Sequence, residues 1–319
     1  MPKVRSKQVL GIKTEATQGT AIALVATDYL LVEDATISAI TEKNIRDAKR
    51  SSLDKLAHIV GQRYVEITFK TEVKTNGTAN GATGQIYAPL GAALQACGFT
   101  EVATASTNVT YAPTSTALAG FYGPGKSVTI EVWNDGIKHT AAGCMGDVKF
   151  SGEAGKLAYY EFRFMGKYAA PADTAAPSQT YVTSLPPVFE SATLTLQTLA
   201  AVVTKVEWST NNEVSLRADV SAATSVLGFL ITARDPRGTV DPETESVATH
   251  DFFTRLVNGT EGSLTWRIGT VAGNITTFTM TKTQYDNVSY GERNGILIFD
   301  VPVKFNQNTG DDYVSIVQT

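Results

Sequence analysis

Apolar and polar residues alternate with a period of two along most of the chain. In residues 64–73, Val65, Ile67, Phe69 and Val73 fall on one side and Glu66, Thr68, Lys70 and Glu72 on the other. Val128, Ile130 and Val132 alternate with Thr129 and Glu131, and Tyr160, Phe162 and Phe164 with Glu161 and Arg163. Leu194 and Leu196, Phe278 and Met280, and Val301, Val303 and Phe305 continue the pattern. In a strand, successive side chains point to opposite faces, so each stretch predicts a half-buried strand with one wet face. The abundance of Thr and Val supports this. Asn134-Asp135-Gly136 and Asn294-Gly295 predict tight turns. Alternating strands, as opposed to uniformly apolar ones, point to an antiparallel sandwich or barrel and away from a doubly wound parallel sheet.

Helical signals are few. Residues 89–97 open with Pro89 and stop before Gly98, with Leu90, Leu94 and Cys97 on one face. Residues 250–257 have Asp251 near the start and Asn258-Gly259 at the end. Residues 44–58, with Ile45, Leu53 and Leu56 loosely spaced, fit either a third helix or a loop.

The elements recur in order. Glu33–Ser38 resembles Glu190–Thr195, the strand at 64–73 is matched by 226–233, and the helix at 89–97 by 250–257. Residues 127–133 are matched by 263–268, and Gly152, Glu153 and Gly155 by Gly291, Glu292 and Gly295. The shared order predicts a duplication. The expected organisation is a first module at 1–170, a Pro/Ala/Ser-rich linker at 171–187, and a second module at 188–319. The fold class expected is mainly β, with two tandem sandwich or barrel modules. Each carries one short α-helix, and an extended N-terminal arm and long inter-strand loops are added.

Charge changes this picture. Lys3, Arg5, Lys7 and Lys13 stand in residues 1–13 without an acid. Residues 41–59 hold Lys43, Arg46, Lys49, Arg50 and Lys55 against Glu42, Asp47 and Asp54. The whole chain has a net charge of −4, so two basic segments sit on an acidic body. This distribution suits either an ordinary solvated surface or self-association, with basic arms meeting acidic faces of neighbouring copies. Removal of residues 1–13 is expected to leave a folded chain that no longer assembles.

Composition excludes several classes. Of 319 residues, 43% are hydrophobic and 18% charged, enough for a core and not the profile of a disordered chain. Two Cys cannot build a dense disulfide scaffold, and three His with two Cys argue against a Cys/His zinc site. No apolar run approaches the ~20 residues of a membrane helix. Residues 1–13 contain no apolar core of the kind a secretory signal has, so a soluble chain is expected.

One stretch imitates a nucleotide site. Gly120–Ser127 fits G-x-x-x-x-G-K-[ST], and Ile296–Asp300 is an apolar run ending in an acid. A phosphate loop needs a buried strand before it and a helix after it. Residues 114–119 are a poor strand, and 127–133 alternate as a strand, so a Gly/Pro turn is the expectation. His58, His139 and His250 lie near no nucleophile motif, and Asp311-Asp312 has no partners that would make a metal site. No catalytic residue, metal or cofactor is assigned.

The chain resembles the tail tube, or major tail, proteins of long-tailed bacteriophages. The resemblance rests on Gly11–Glu15 with Gln18-Gly19-Thr20 and Tyr29-Leu30, on Pro89-Leu90-Gly91, and on Ala96–Phe99 with Tyr111-Ala112-Pro113. It continues through Gly143–Val148, Gly152, Gly155-Lys156 and Phe162–Gly166. Pro186-Pro187, Arg234-Asp235-Pro236, Asn294-Gly295-Ile296 and Gly310-Asp311-Asp312 complete it. The resemblance implies a structural virion protein, assembled in the host cytoplasm and located in the tail. It implies stacked rings that form a tube for DNA ejection, and for a two-module chain each ring is a homotrimer with pseudo-sixfold symmetry. Implied partners are further copies of itself, a tape measure protein in the lumen, tail terminator and distal tail or baseplate proteins, and double-stranded DNA in transit. An acidic wall and ring-to-ring contacts through Lys3, Arg5, Lys7, Lys13, Lys43, Arg46, Lys49, Arg50 and Lys55 are the corresponding expectations. Another β-rich virion protein (decoration, baseplate or adhesin), or an ATPase using Lys126, is the alternative.

Overall fold

A computed structural model describes residues 2–78, 87–104 and 106–319. In its first part the strands are β1 (Gln8–Thr14), β2 (Tyr29–Leu30), β3 (Glu33–Asn44) and β4 (Ile59–Glu72). Helix α1 (Ala88–Ala96) follows, then β5 (Phe99–Thr104), β6 (Asn108–Pro113) and β7 (Val128–Asn134). The long β8 (Ile137–Glu153), β9 (Tyr159–Tyr168) and the two-residue β10 (Ala172–Asp173) come next. After residues 174–194 come β11 (Thr195–Leu196), β12 (Lys205–Ser209), β13 (Asn212–Ala218), β14 (Val226–Arg234) and β15 (Arg237–Val240). Helix α2 (Phe252–Val257) precedes β16 (Glu261–Ile268), β17 (Thr276–Tyr285), β18 (Ser289–Arg293), β19 (Ile296–Asn306) and β20 (Ser315–Gln318). The chain is therefore mainly β with two short helices. Every ladder between strands is antiparallel, and the described strands do not close into a barrel.

Local chemistry accounts for the elements. Pro89 occupies the first turn of α1, and Gly98 just beyond its end takes φ 85°, which only glycine adopts without strain. The Asp251 carboxylate caps α2 by accepting from the Thr254 N–H at 2.9 Å. Asp135 and Gly136 (φ 48° and 91°) turn β7 into β8, and Asn294 and Gly295 (φ 52° and 81°) turn β18 into β19. Residues 45–58 are neither helix nor strand. They form the tip of the long β3–β4 hairpin, and Ile45 and Leu53 there are 80% and 104% exposed. With nothing for an apolar stripe to pack on, a helix at this place has no tertiary support.

Two expectations change. Residues 8–13 are not a free arm: β1 lies between β2 and β7, with Leu10 and Ile12 fully buried. Deleting residues 1–13 removes a core strand, so only residues 2–7 are dispensable to the sheet. The likeness of Glu33–Ser38 to Glu190–Thr195 also fails to match pairing. Within the second stretch, Thr195 begins β11, which pairs with β16 as β1 pairs with β7, whereas β3 pairs with β4.

Pairing nevertheless repeats. The order β1–β7–β8–β9–β4–β3 in the first part recurs as β11–β16–β17–β19–β15–β12 in the second. Strands β12 and β13 together face β15 and β14, as β3 faces β4. One sheet runs through both parts because β12 pairs with the C-terminal end of β8, Lys205 opposite Glu153 and Ser209 opposite Lys149. One core also runs through both. Phe150 lies 4.8 Å from Phe278, 5.6 Å from Trp266 and 6.4 Å from Trp208 between ring centroids. Burying such rings contributes about 1.5–3 kcal/mol each, plus about 0.5–1.5 for a well-placed pair.

Candidate interaction surfaces

The continuous sheet β3–β4–β9–β8–β12–β15–β19 has one apolar and one polar face. Ile67, Phe69, Phe162, Phe164, Val148, Phe150, Val206, Trp208 and Val303 point inward and are buried, and Ile37, opposite Ile67 on β3, is partly buried against them. The alternate residues form cross-strand ion pairs. Lys70 meets Glu161 at 2.9 Å, Arg163 meets Glu66 at 2.5 Å, and Lys149 meets Glu207 at 3.4 Å. Lys205 also reaches Glu207, at 2.7 Å. Arg237 joins Asp235 and Asp286, each at 2.7 Å, and Lys304 lies 3.9 Å from Asp235. The face is half-exposed, and surface pairs of this kind are worth only about 0–1 kcal/mol each. Its character is charge balance, with each of these cations beside an anion. The Glu161 hydrogen bond raises the Lys70 pKa, and that of Glu66 raises the Arg163 pKa. Glu207 is lowered, because the bond from Lys205 and the charge of Lys149 outweigh its burial.

At one end of this face the β13–β14 hairpin folds over the sheet. Val226, Phe229 and Ile231 make a small core with Met145, and Tyr64 and Met165 pack beside it. The Arg63 N–H donates to the Thr224 carbonyl at 3.3 Å, and Gln62 Nε2 to the Ser225 carbonyl at 3.2 Å. Beyond that contact the β3–β4 hairpin continues alone. Ile59 and Val60 are 57% and 45% exposed, and Lys43, Arg46, Lys49, Arg50 and Lys55 are all exposed. Lys49 lies 4.0 Å from Asp47, and Arg50 Nη2 donates to the Asp54 carbonyl at 3.1 Å. The five cations expected in this segment thus share one projecting tip.

The N-terminal cations are distributed differently. Lys3 Nζ donates to the Asp135 carbonyl at 2.7 Å, and Lys7 Nζ lies 3.8 Å from the Asp135 carboxylate. Lys13 pairs with the largely buried Asp28 at 2.9 Å. Arg5 is exposed. Lys3 and Lys7 are therefore folded back on the β7–β8 turn, and Lys13 belongs to a strand within the sheet.

The nucleotide-site imitation resolves as structure. Residues 120–127 form a loop that leads into β7, not a helix. Gly125 has φ 78°, and a Cβ there would come within 2.3 Å of the Gln95 carbonyl, so the glycine is needed for close approach to α1. The Lys126 N–H also donates to that carbonyl, at 3.2 Å. The loop therefore faces the C-terminal, carbonyl end of a helix, the pole that repels phosphate. Ser127 Oγ donates to buried Glu15 at 2.6 Å. Glu15 also accepts from the Gly19 N–H (2.7 Å), the Gly143 N–H (2.8 Å) and Thr129 Oγ1 (2.9 Å). Glu15 is a structural node that joins the segment after β1 to β7 and β8.

Among the described residues no group of His, Cys, Asp and Glu is placed to hold a metal ion, and no helix is long and apolar enough to cross a membrane. Cys97 and Cys144 are buried, and burial pushes both thiols up. His250 is buried with Nε2 2.8 Å from the Tyr285 hydroxyl. The charge-paired face escaped the sequence reading. Lys70, Glu66, Glu161 and Arg163 are visible in the alternation as polar positions, but which strand lies beside which is not.

These surfaces describe a β-rich structural protein whose distinguishing features are faces and edges. A family model described as phage tail tube protein matches residues 5–316, and the chain belongs to that family. It is a structural component of a phage tail. No curated protein matches the chain.

Proposed function

We propose that this chain polymerises as stacked rings, each a trimer of two-module chains with pseudo-sixfold symmetry, to form the tube through which phage DNA is ejected. The observation that carries this is the strand order repeated within one chain. Three duplicated chains fill six quasi-equivalent positions with closed symmetry. The modules are 1–170 and 188–319, joined by 171–187. The charge-paired face lines the lumen. It replaces the acidic wall expected from composition by a balanced one, on which each Lys or Arg is already neutralised and offers little to a passing phosphate. The tip of β3–β4, with Lys43, Arg46, Lys49, Arg50 and Lys55, reaches the next ring, and residues 2–7 with Lys3, Arg5 and Lys7 border that contact. A tape measure protein occupies the lumen during assembly in the host cytoplasm, and terminator and distal tail or baseplate proteins close the ends.

Negative-stain electron microscopy of the purified chain tests this. Rings or tubes with a central hole are expected. Replacing Lys49, Arg50 and Lys55 by Glu leaves the fold intact, because exposed substitutions stay within about 0.5 kcal/mol, and leaves rings that no longer stack. A chain that stays monomeric at every concentration overturns the reading, and tubes of normal length from the triple variant overturn the role of the tip.

A further inference from the structure

Besides the β12–β8 contact, a second run of strands crosses from the first part of the chain to the second, in the order β5–β6–β20–β17–β16–β11. Among the described residues the β5–β6 hairpin pairs with no strand other than β20. Strand β20 fills the slot between β6 and β17. Ile316 stands opposite Tyr111 on one side and Phe278 on the other, and Gln318 stands opposite Val109 and Thr276.

We propose that this slot is a strand-binding site whose occupant is residues 311–319 of the same chain. The strand is held exchangeably, and its seating joins the two parts of the chain into one cooperative unit.

The slot recognises an alternating strand. Val314 and Ile316 are fully buried, whereas Ser315 and Val317 lie on the half-exposed face. Without β20, the edges of β6 and β17 both present unpaired N–H and C=O groups, and the buried Val109, Tyr111 and Phe278 lose the residues opposite them. A chain made only as far as β19 is in that condition, because β6 and β17 precede β20 in sequence. Anchors on both sides fix the register. Before the strand, the Asp311 carboxylate accepts from the Ser115 N–H at 2.8 Å, and that of Asp312 accepts from the N–H groups of Asn308 and Thr309, both at 2.8 Å. After it, Thr319 and Ile275 exchange two backbone hydrogen bonds of 3.0 and 3.1 Å. The seat is not optimised, however. Gln318 is 1% exposed, and neither its Oε1 nor its Nε2 has a partner among the described residues. A buried amide without partners weakens the site that holds it, so the strand is bound less tightly than one with Leu at this position.

The test uses the full chain with a protease site inserted between Gln307 and Asn308, in the exposed turn after β19. After cleavage under native conditions, the fragment beginning at Asn308 is expected to stay with the body in gel filtration. The nicked protein is then unfolded in urea and diluted with an excess of fluorescein-labelled synthetic peptide of residues 308–319. One labelled peptide per body is expected to be taken up, with the urea midpoint of the nicked protein restored. A peptide carrying Ile316→Asp is expected to be excluded. A peptide carrying Gln318→Leu is expected to be released about tenfold more slowly, because it buries no unpartnered amide. A fragment that leaves on cleavage while β6 and β17 keep their hydrogen-exchange protection overturns the proposal, and so does equal uptake of the Ile316→Asp peptide. Release of the Gln318→Leu peptide at the wild-type rate or faster overturns the exchangeable seat. Should the inserted site prevent folding, Ile316→Ala in the uncut chain decides. Joint loss of exchange protection in β6 and β17 is expected, and protection retained in either strand refutes the joining role.

Discussion

Replacing Glu15 by Ala should destabilise the unassembled chain by about 4 kcal/mol. The magnitude follows from the four donors that converge on one buried side chain, 3% exposed. Two of them, the N–H groups of Gly19 and Gly143, are fixed by the backbone and have no alternative acceptor once the carboxylate is gone. An unsatisfied buried donor costs about 1–3 kcal/mol, so the pair costs about 2–6. The hydroxyls of Ser127 and Thr129 rotate and add little. Glu15→Gln keeps the shape and one acceptor oxygen but turns an NH2 group toward one of the two backbone donors, so about 1–3 kcal/mol is expected. Ser127→Ala removes one donor and leaves the carboxylate three, at a cost of about 1 kcal/mol. Total stabilities are only about 5–15 kcal/mol, so the Ala variant should be visibly compromised. The assay is urea unfolding followed by fluorescence of the buried Trp133, Trp208 and Trp266. The order Ala, Gln, Ser127→Ala is the signature. An Ala variant within about 1 kcal/mol of wild type, or a Gln variant as damaged as Ala, refutes the node.

Removing residues 2–7 should leave the unfolding midpoint within about 1 kcal/mol. Removing 2–14 should abolish cooperative unfolding, since Leu10 and Ile12 alone are worth about 2–5 kcal/mol each when truncated; equal behaviour of the two truncations in circular dichroism melts counts against β1 as a core strand. Cys97 and Cys144 should resist an aromatic disulfide reagent at pH 8 in the native protein and react stoichiometrically in urea, and rapid native labelling contradicts their burial. Burial, reinforced by Arg255 and opposed by Asp251, lowers the His250 pKa, and burial lowers that of His139. A lowered histidine binds its proton more readily unfolded than folded, so this contribution is intact above pH about 6.5 and is lost as pH falls below it. His250→Gln should therefore show a shallower decline in unfolding free energy between pH 7 and pH 5 than wild type, and an unchanged slope removes His250 from the account.

The strands were legible where one face is buried, because a period of two is a local signal. Val65, Ile67 and Phe69 declare β4, and Tyr160, Phe162 and Phe164 declare β9. Less legible was the partner of each strand. Val206 and Trp208 alternate, but nothing local says that their neighbour is β8, whose partner residues stand far earlier in the chain. Charge also misled at the N-terminus. Four cations marked residues 1–13 as an arm, while the shorter alternation of Leu10 and Ile12 decides that most of it is strand. Conversely Ile45, Leu53 and Leu56 suggested a helix face at 44–58, but apolar spacing yields a helix only where something covers the stripe. The candidate surface was half legible: the basic residues of the hairpin tip stand out in sequence, whereas most ion pairs of the polar face exist only because the fold brings distant segments together.

Two kinds of surface among the described residues differ in chemistry, and that chemistry assigns them different fates in the proposed tube. The polar face of the sheet is balanced within itself: Glu161 answers Lys70, Glu66 answers Arg163, and Glu207 answers both Lys149 and Lys205. Such a face loses little by staying wet, and covering it would desolvate several ions for pairs already made. The hairpin tip and the β18 edge are the reverse. Ile45, Leu53, Ile59 and Tyr290 expose apolar area to water, and each Å² removed from water yields about 25 cal/mol. An edge strand adds unpaired N–H and C=O groups that another chain can satisfy. Assembly that covers the tip and the edge while leaving the paired face open therefore lowers free energy at every contact. In the proposed tube the sheet presents its charged side to the lumen, since its apolar side is already filled by the core.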